Sequence, residues 1–207
     1  MSVQVDFPVL ELLCGRLCHE LVSPVGAIGN GVELLGEDDP EFVKEAVALI
    51  GQSARRAAQR LQFYRFAYGT AGTGAHAKID GAALAAALLE GGKVQCAWAP
   101  ETAGLPPAWQ RLACNMVALA AETLPRGGAV SVRTVTAGGE GIEVAAEGDQ
   151  VAAGDELRNV LDDAFAIAAL STRNVHAYYT ARLAQHLGMR LALAHADPHR
   201  LVFTAGG

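Results

Sequence analysis

Residues 11–35 read ELLCGRLCHELVSPVGAIGNGVELL, and the spacing of apolar side chains in this run decides what the N-terminal part of the chain becomes. At about 100° per residue, Leu10, Cys14, Leu17, Leu21, Val25, Ile28, Val32 and Leu35 fall on one helical face, in alternating steps of three and four. His19 then projects about 165° from the centre of that stripe. The imidazole is therefore expected on the exposed side. Gly15, Ser23, Gly26 and Asn30 share its direction, so its surroundings are small side chains that let another surface come close.

Working outward, residues 36–40 (GEDDP) form a turn signal, with Asp39 as helix N-cap and Pro40 at the first helical position. A second helix is predicted from there, with Val43, Val47, Ile50, Ala54, Ala57, Leu61, Tyr64 and Tyr68 in the same rhythm. It runs up to the glycine-rich residues 69–74, read as a linker. Two helices of about 40 Å cannot cover two continuous apolar stripes by pairing only with each other. A homodimer whose hairpins form a four-helix bundle covers them and leaves His19 outside. The alternative is a hairpin that covers the chain's own second domain.

Residues 78–207 alternate helical and strand-like patterns. Helices are expected at 79–90, 106–123, 155–170 and 175–187, and strands at 93–99, 129–136, 141–146, 189–195 and 200–204. The fold class is thus α+β: an N-terminal helical hairpin (1–70) and a C-terminal α/β sandwich with a mixed sheet (78–207).

Composition bounds the function. A hydrophobic content of 51% supplies a packed core, while a net charge of −6 without a dense basic run argues against binding DNA or RNA. No apolar run reaches the roughly 20 residues of a membrane span, and the acidic N-terminus does not read as a signal peptide, so a soluble cytoplasmic protein is expected. Cys14, Cys18, Cys96 and Cys114 form neither a disulfide framework nor a CxxC pair. Cys14 and Cys18 lie one turn apart beside His19, but Cys14 belongs to the apolar stripe, and no metal site is expected. The other histidines, His76, His176, His186, His195 and His199, lack ligand spacing and read as structural or exposed.

His19-Glu20-Leu21-Val22-Ser23-Pro24 resembles the phospho-accepting box of two-component histidine kinases, and the order of elements after it resembles their ATP-binding domain. The nucleotide signatures are incomplete. Where the kinases carry an Asn-rich, Mg²⁺-binding helix there is Cys114-Asn115-Met116 with one Asn, and Glu147-Gly148-Asp149 stands near the adenine-reading turn. The lid region, residues 171–179, has no glycine, and backbone amides cannot approach phosphates closely without it. ATP binding is not expected.

Residues 11–35 together with this layout are similar to the ChpT-type histidine phosphotransferases of alphaproteobacteria. The resemblance implies a homodimeric phosphorelay intermediate with no autokinase activity. It would take a phosphoryl group from the receiver domain of a hybrid sensor kinase and pass it to receiver domains of response regulators, one of which controls the cell cycle. His19 would be the phospho-acceptor, with no intrinsic cofactor, because a receiver brings its own acidic pocket, Mg²⁺ and lysine. Glu20 would either hold the second ring nitrogen or be a solvated acid. Ser23 would either bond a phosphoryl oxygen or start a bend before Pro24, and Arg16 would either steady phosphate charge or be plain surface. Gly15, Arg16, Val22, Gly26 and Asn30 would meet the partner. An ATP-dependent kinase core and a non-catalytic dimeric adaptor are the competing readings.

Overall fold

The structure, a computed structural model, describes residues 6–69, 80–135, 140–162 and 164–207. Helices α1 (Phe7–Leu34) and α2 (Pro40–Ala67), 28 residues each, form the antiparallel hairpin. The expected start of α2 is present: the Asp39 carboxylate accepts the backbone N–H of Glu41 at 2.9 Å, and Pro40 follows it. α1 continues through Pro24.

Which face of α1 meets α2 differs from the expectation. The buried positions are Val9, Arg16, Pro24 and Gly31, about a quarter-turn from the predicted stripe by helix periodicity. They face a small-residue surface of α2 that includes Ala46 and Ser53. Gly31 shows how close this approach is, because a Cβ there would stand 2.6 Å from Ile50 Cγ1. The apolar stripe itself stays largely open within one chain. Leu10, Val25, Val32 and Leu35 of the α1 stripe are exposed, as are Phe42, Val47 and Leu61 on α2, and Cys14 is exposed rather than buried.

The C-terminal domain follows α3 (Gly81–Leu89), β1 (Val94–Trp98), α4 (Pro107–Glu122), β2 (Gly128–Val135), β3 (Gly141–Glu147), α5 (Asp155–Val160), α6 (Val175–His186), β4 (Arg190–Asp197) and β5 (Arg200–Gly206). The sheet order is β1-β2-β3-β5-β4; β1 and β2 are parallel and the other neighbours antiparallel, so the sheet is mixed as expected. Helices cover one face, packing Leu112, Met116 and Val117 of α4 against Val130, Val132, Ile142, Val144, Leu201 and Phe203. On the opposite face Glu143 pairs with Arg133 at 2.7 Å.

Two local expectations fail. The helix predicted over 155–170 ends at Val160, where Asp162 bends the chain by accepting the N–H of Ala164 at 2.8 Å. A one-turn 3₁₀ helix, Ile167–Ala169, is what remains beyond it, and a second 3₁₀ helix, Pro100–Gly104, had no counterpart in the sequence pattern. The linker lies outside the described residues apart from Gly69, as do His76 and the predicted Gly138-Gly139 connection.

A second apolar cluster joins the two parts. Phe63, Tyr64, Phe66 and Ala67 at the end of α2 pack on Cys114 and Ala118 of α4, with Leu17, Leu84 and Leu88 at the margin. The C-terminal domain also satisfies the orphan carbonyls at this helix end. Asn115 Nδ2 and the Tyr179 hydroxyl donate to Ala67 O, at 3.2 and 3.1 Å, and Arg111 donates to Gly69 O at 2.9 Å.

Candidate histidine phosphotransfer site

His19 sits in the middle of α1 and is exposed; among the described residues it makes no hydrogen bond and no ion pair. Gly15, Val22, Ser23, Gly26 and Asn30 are exposed too, and by helix periodicity all lie within about 60° of it. Space around Gly26 is open, and Val22 is 67% exposed. These residues form one continuous surface with the imidazole at its centre.

The two charged neighbours are not part of that surface. Arg16, expected beside the phosphate and at the partner surface, is only 9% exposed and pairs with Glu122 at the end of α4. Periodicity explains the correction: Arg16 stands about 60° from His19, on the side that the hairpin buries. Glu20, expected to hold the ring or to be solvated, is clasped by Arg60 of α2. The guanidinium donates to its carboxylate at 2.5 Å and to its backbone carbonyl at 2.7 Å.

Behind Arg16 is a network that sequence reasoning missed. Glu122 faces both Arg16 and the buried ring of His176. His176 Nε2 lies 3.1 Å from Asn115 Oδ1, and Asn115 Nδ2 donates to the carbonyls of Ala67 and Arg111. Those two donations fix the amide orientation, so Oδ1 is an acceptor and Nε2 carries the proton. Nδ1 is 3.6 Å from Glu122 Oε1, beyond hydrogen-bond range. Burial lowers the His176 pKa, with Glu122 opposing, and the ring is neutral near pH 7. Burial also resists ionisation of Glu122, but His176 and Arg16 outweigh it and its pKa is lowered. No short-range motif announces these contacts: Arg16 and Glu122 are 106 positions apart.

Cys14 and Cys18 are exposed, and among the described residues no cluster of His, Cys, Asp and Glu is arranged to hold a metal ion. No described helix is long and apolar enough to cross a membrane.

The sequence profile described as "Histidine phosphotransferase C-terminal domain" matches residues 80–199. The protein phosphotransferase ChpT of Brucella abortus (strain 2308) is 35% identical over 217 residues, covering 99% of this chain and 100% of that protein. This chain belongs to the histidine phosphotransferase family. A solved structure described as a bacterial phosphotransferase superposes with a TM-score of 0.79 at 31% identity, over 99% of this chain and 98% of that one. Both full-length likenesses carry the match beyond residues 80–199 into the hairpin. As a histidine phosphotransferase, the chain serves histidine phosphotransfer in a phosphorelay.

Proposed function

We propose that His19 is the residue that carries the phosphoryl group, taking it from a phospho-aspartyl receiver domain of a hybrid sensor kinase and passing it to receivers of response regulators, one of them a cell-cycle regulator. The observation that carries this reading is the pattern of commitment on α1. Arg16 and Glu20 are tied inward to Glu122 and Arg60, while His19 stands exposed and unpartnered among small side chains.

The chemistry asks little more of this chain. A neutral ring nitrogen attacks phosphorus as the P–O bond to the receiver's aspartate breaks. The aspartate leaves as carboxylate, and the phosphorylated ring keeps or sheds the proton on its other nitrogen. Mg²⁺ and the neutralising lysine come with the receiver, so this protein supplies position. With Glu20 held by Arg60, the ring stays free to turn toward the incoming phosphorus. Ser23, exposed one turn beyond, is a donor within reach of a phosphoryl oxygen or of the docked partner.

The residues at the position of a nucleotide site do not fit a magnesium nucleotide. Both amide hydrogens of Asn115 are spent on carbonyls, its oxygen accepts from His176, and the side chain is fully buried. Residues 171–174 form a turn held by Asn174, whose carboxamide oxygen accepts the N–H of Ser171 at 2.8 Å, in place of a glycine-rich lid. This supports a pseudo-ATPase domain without autokinase activity. The open stripes of α1 and α2, joined in a groove lined by Leu17, Leu61, Tyr64 and Tyr68, support a homodimer built as a four-helix bundle; a cytoplasmic location is part of the same proposal.

The test is transfer of ³²P from a charged receiver domain to the purified protein. Alkali-stable, acid-labile label on wild type and none on His19→Gln is the expected result, with no label from ATP alone. Label that persists in His19→Gln overturns the assignment, and label acquired from ATP alone restores the kinase reading.

A further inference from the structure

We propose that Glu122, acting through Arg16, is a positioning residue for phosphotransfer: the pair fixes the roll of the helix that carries His19 against the C-terminal domain, and so the pose in which a receiver meets the imidazole. This rests on His19 being the acceptor.

The two hairpin helices are attached to the C-terminal domain in different ways. The end of α2 is held by the apolar cluster around Phe63 and Phe66 and by donors that cap its last carbonyls. α1 reaches that cluster only through the half-buried Leu17. Its directional tie to the C-terminal domain, among the described residues, is Arg16 to Glu122, beside the clasp of Arg60 on Glu20 that ties it to α2. A Thr172 methyl beside Gly15 adds only a van der Waals neighbour. Apolar contacts are non-directional, whereas a charge-assisted hydrogen bond favours one direction.

Neither partner stands where its own element would favour it. Arg16 gives up most of its hydration, and Glu122 is the last residue of α4, at the end of the helix dipole that repels an acid. Arg16 has Glu122 as its ion-pair partner, while Glu122, whose side chain is 45% exposed, is shared by Arg16, His176 and solvent. The ring of His176 sharpens the choice: its protonated nitrogen is turned to Asn115, so the nitrogen facing Glu122 is bare and offers no hydrogen. That leaves Arg16 as the donor to the carboxylate.

The lever is short. Arg16 precedes His19 by three residues, about 4.5 Å along the axis and about 60° around it. A roll of α1 that parts the pair therefore swings the imidazole by a similar angle while α2 stays anchored. Nothing in this arrangement touches the phosphoryl group, so the expected kinetic signature is on docking.

Full-length protein is assayed for transfer from a hybrid-kinase receiver domain charged by its own kinase and ATP. Glu122→Gln is expected to raise KM for the receiver about tenfold while kcat at saturating receiver stays within about twofold. The exchanged pair Arg16→Glu with Glu122→Arg is expected to recover most of that loss, which separate structural damage at two sites would not do. A KM unchanged in Glu122→Gln overturns the proposal. So does a fall in kcat at constant KM, which would place Arg16 on the reacting phosphate. If the exchanged pair does not fold, hydrogen exchange on Glu122→Gln decides: faster exchange in residues 12–19 and 171–174 with the α4 core unchanged supports the proposal, and unchanged exchange there overturns it. Failure of the acceptor assignment is visible separately, as label that survives His19→Gln in the wild-type background.

Discussion

Val47→Glu tests the proposed bundle without touching the helix that carries His19. Val47 is 58% exposed in the single chain, and Leu10, Val25, Val32, Phe42 and Leu61 are open to between 50% and 56%. Full burial of such a side chain is worth about 1.5–3 kcal/mol, so covering the remaining half contributes about 1 kcal/mol each, or about 12 kcal/mol over two protomers. That is enough to offset an association cost of about 4–15 kcal/mol only if most of the stripe is used. Replacing Val47 removes its apolar share and asks a carboxylate to enter the seam in each protomer. At about 2 kcal/mol per site, dimerisation weakens by about 4 kcal/mol, roughly a thousandfold in Kd. Sedimentation velocity over a dilution series reads this directly. Val22→Glu is the matched control; it lies about 60° from His19 and well away from the stripe, so it is expected to lower transfer and leave association intact. A Val47→Glu protein that associates as tightly as wild type, or a wild type that stays monomeric when concentrated, refutes the reasoning.

Three further outcomes are expected. Gly31→Ala gains about 1 kcal/mol of helix propensity but sets a methyl against Ile50, at an overpacking cost of about 1–3 kcal/mol. Urea unfolding should therefore show net loss, relieved in part when Ile50→Ala is added. Because burial holds the His176 pKa below its ordinary value, the unfolded chain takes up that proton first. The associated stability is complete above about pH 6.5 and is lost as pH falls through the lowered folded value. His176→Gln should flatten this limb of the thermal-melt profile and also shrink the one below about pH 4.3, where Glu122 loses its charge, because His176 is one of the two groups that lower the Glu122 pKa. Maleimide labelling at neutral pH should find Cys18 fast and Cys114 and Cys96 slow, burial having pushed the Cys96 thiol up to about 11. Cys14, on the stripe, should label faster in Val47→Glu than in wild type.

The hairpin was legible because its signals are local. Asp39-Pro40 marks the start of α2, and a three-and-four rhythm of apolar residues runs along both helices. The same rhythm misled about packing within the chain. It pointed to one buried face, while the contact between α1 and α2 uses Gly31, Ser53 and Ala46, residues too small to register as a hydrophobic pattern. The strands were found within a residue or two, since alternation and glycines bound them, but the stop at Val160 depends on an aspartate side chain turning back on its own backbone. His19 and the small residues around it were placed correctly by angle alone. Arg16 was not, because its burial depends on Glu122 and His176, and no spacing rule joins residues so far apart in sequence.

Helix α4 accounts for both the resemblance to a kinase and the departure from it. In the kinase pattern that the sequence resembles, asparagine on this helix serves Mg²⁺ binding. Here Asn115 looks inward, and the same helix presents Arg111, Asn115 and Glu122 to the hairpin, binding Gly69, Ala67 and Arg16 in turn. An asparagine cannot serve both ends, since its two donors and the oxygen that accepts from His176 are committed to protein groups. If the nucleotide role and the anchoring role compete for this one side chain, then Asn115→Ala should not create a nucleotide site. It should loosen the end of α2, leaving the carbonyl of Ala67 with Tyr179 as its side-chain donor and the Nε2 of His176 without its acceptor. A buried polar group left unpaired costs about 1–3 kcal/mol. Urea unfolding should register that loss, together with a higher KM for the charged receiver and no gain of labelling from ATP. An Asn115→Ala protein of wild-type stability would mean that the Asn115 hydrogen bonds do not anchor the end of α2, and that Arg111, Tyr179 and the apolar cluster suffice.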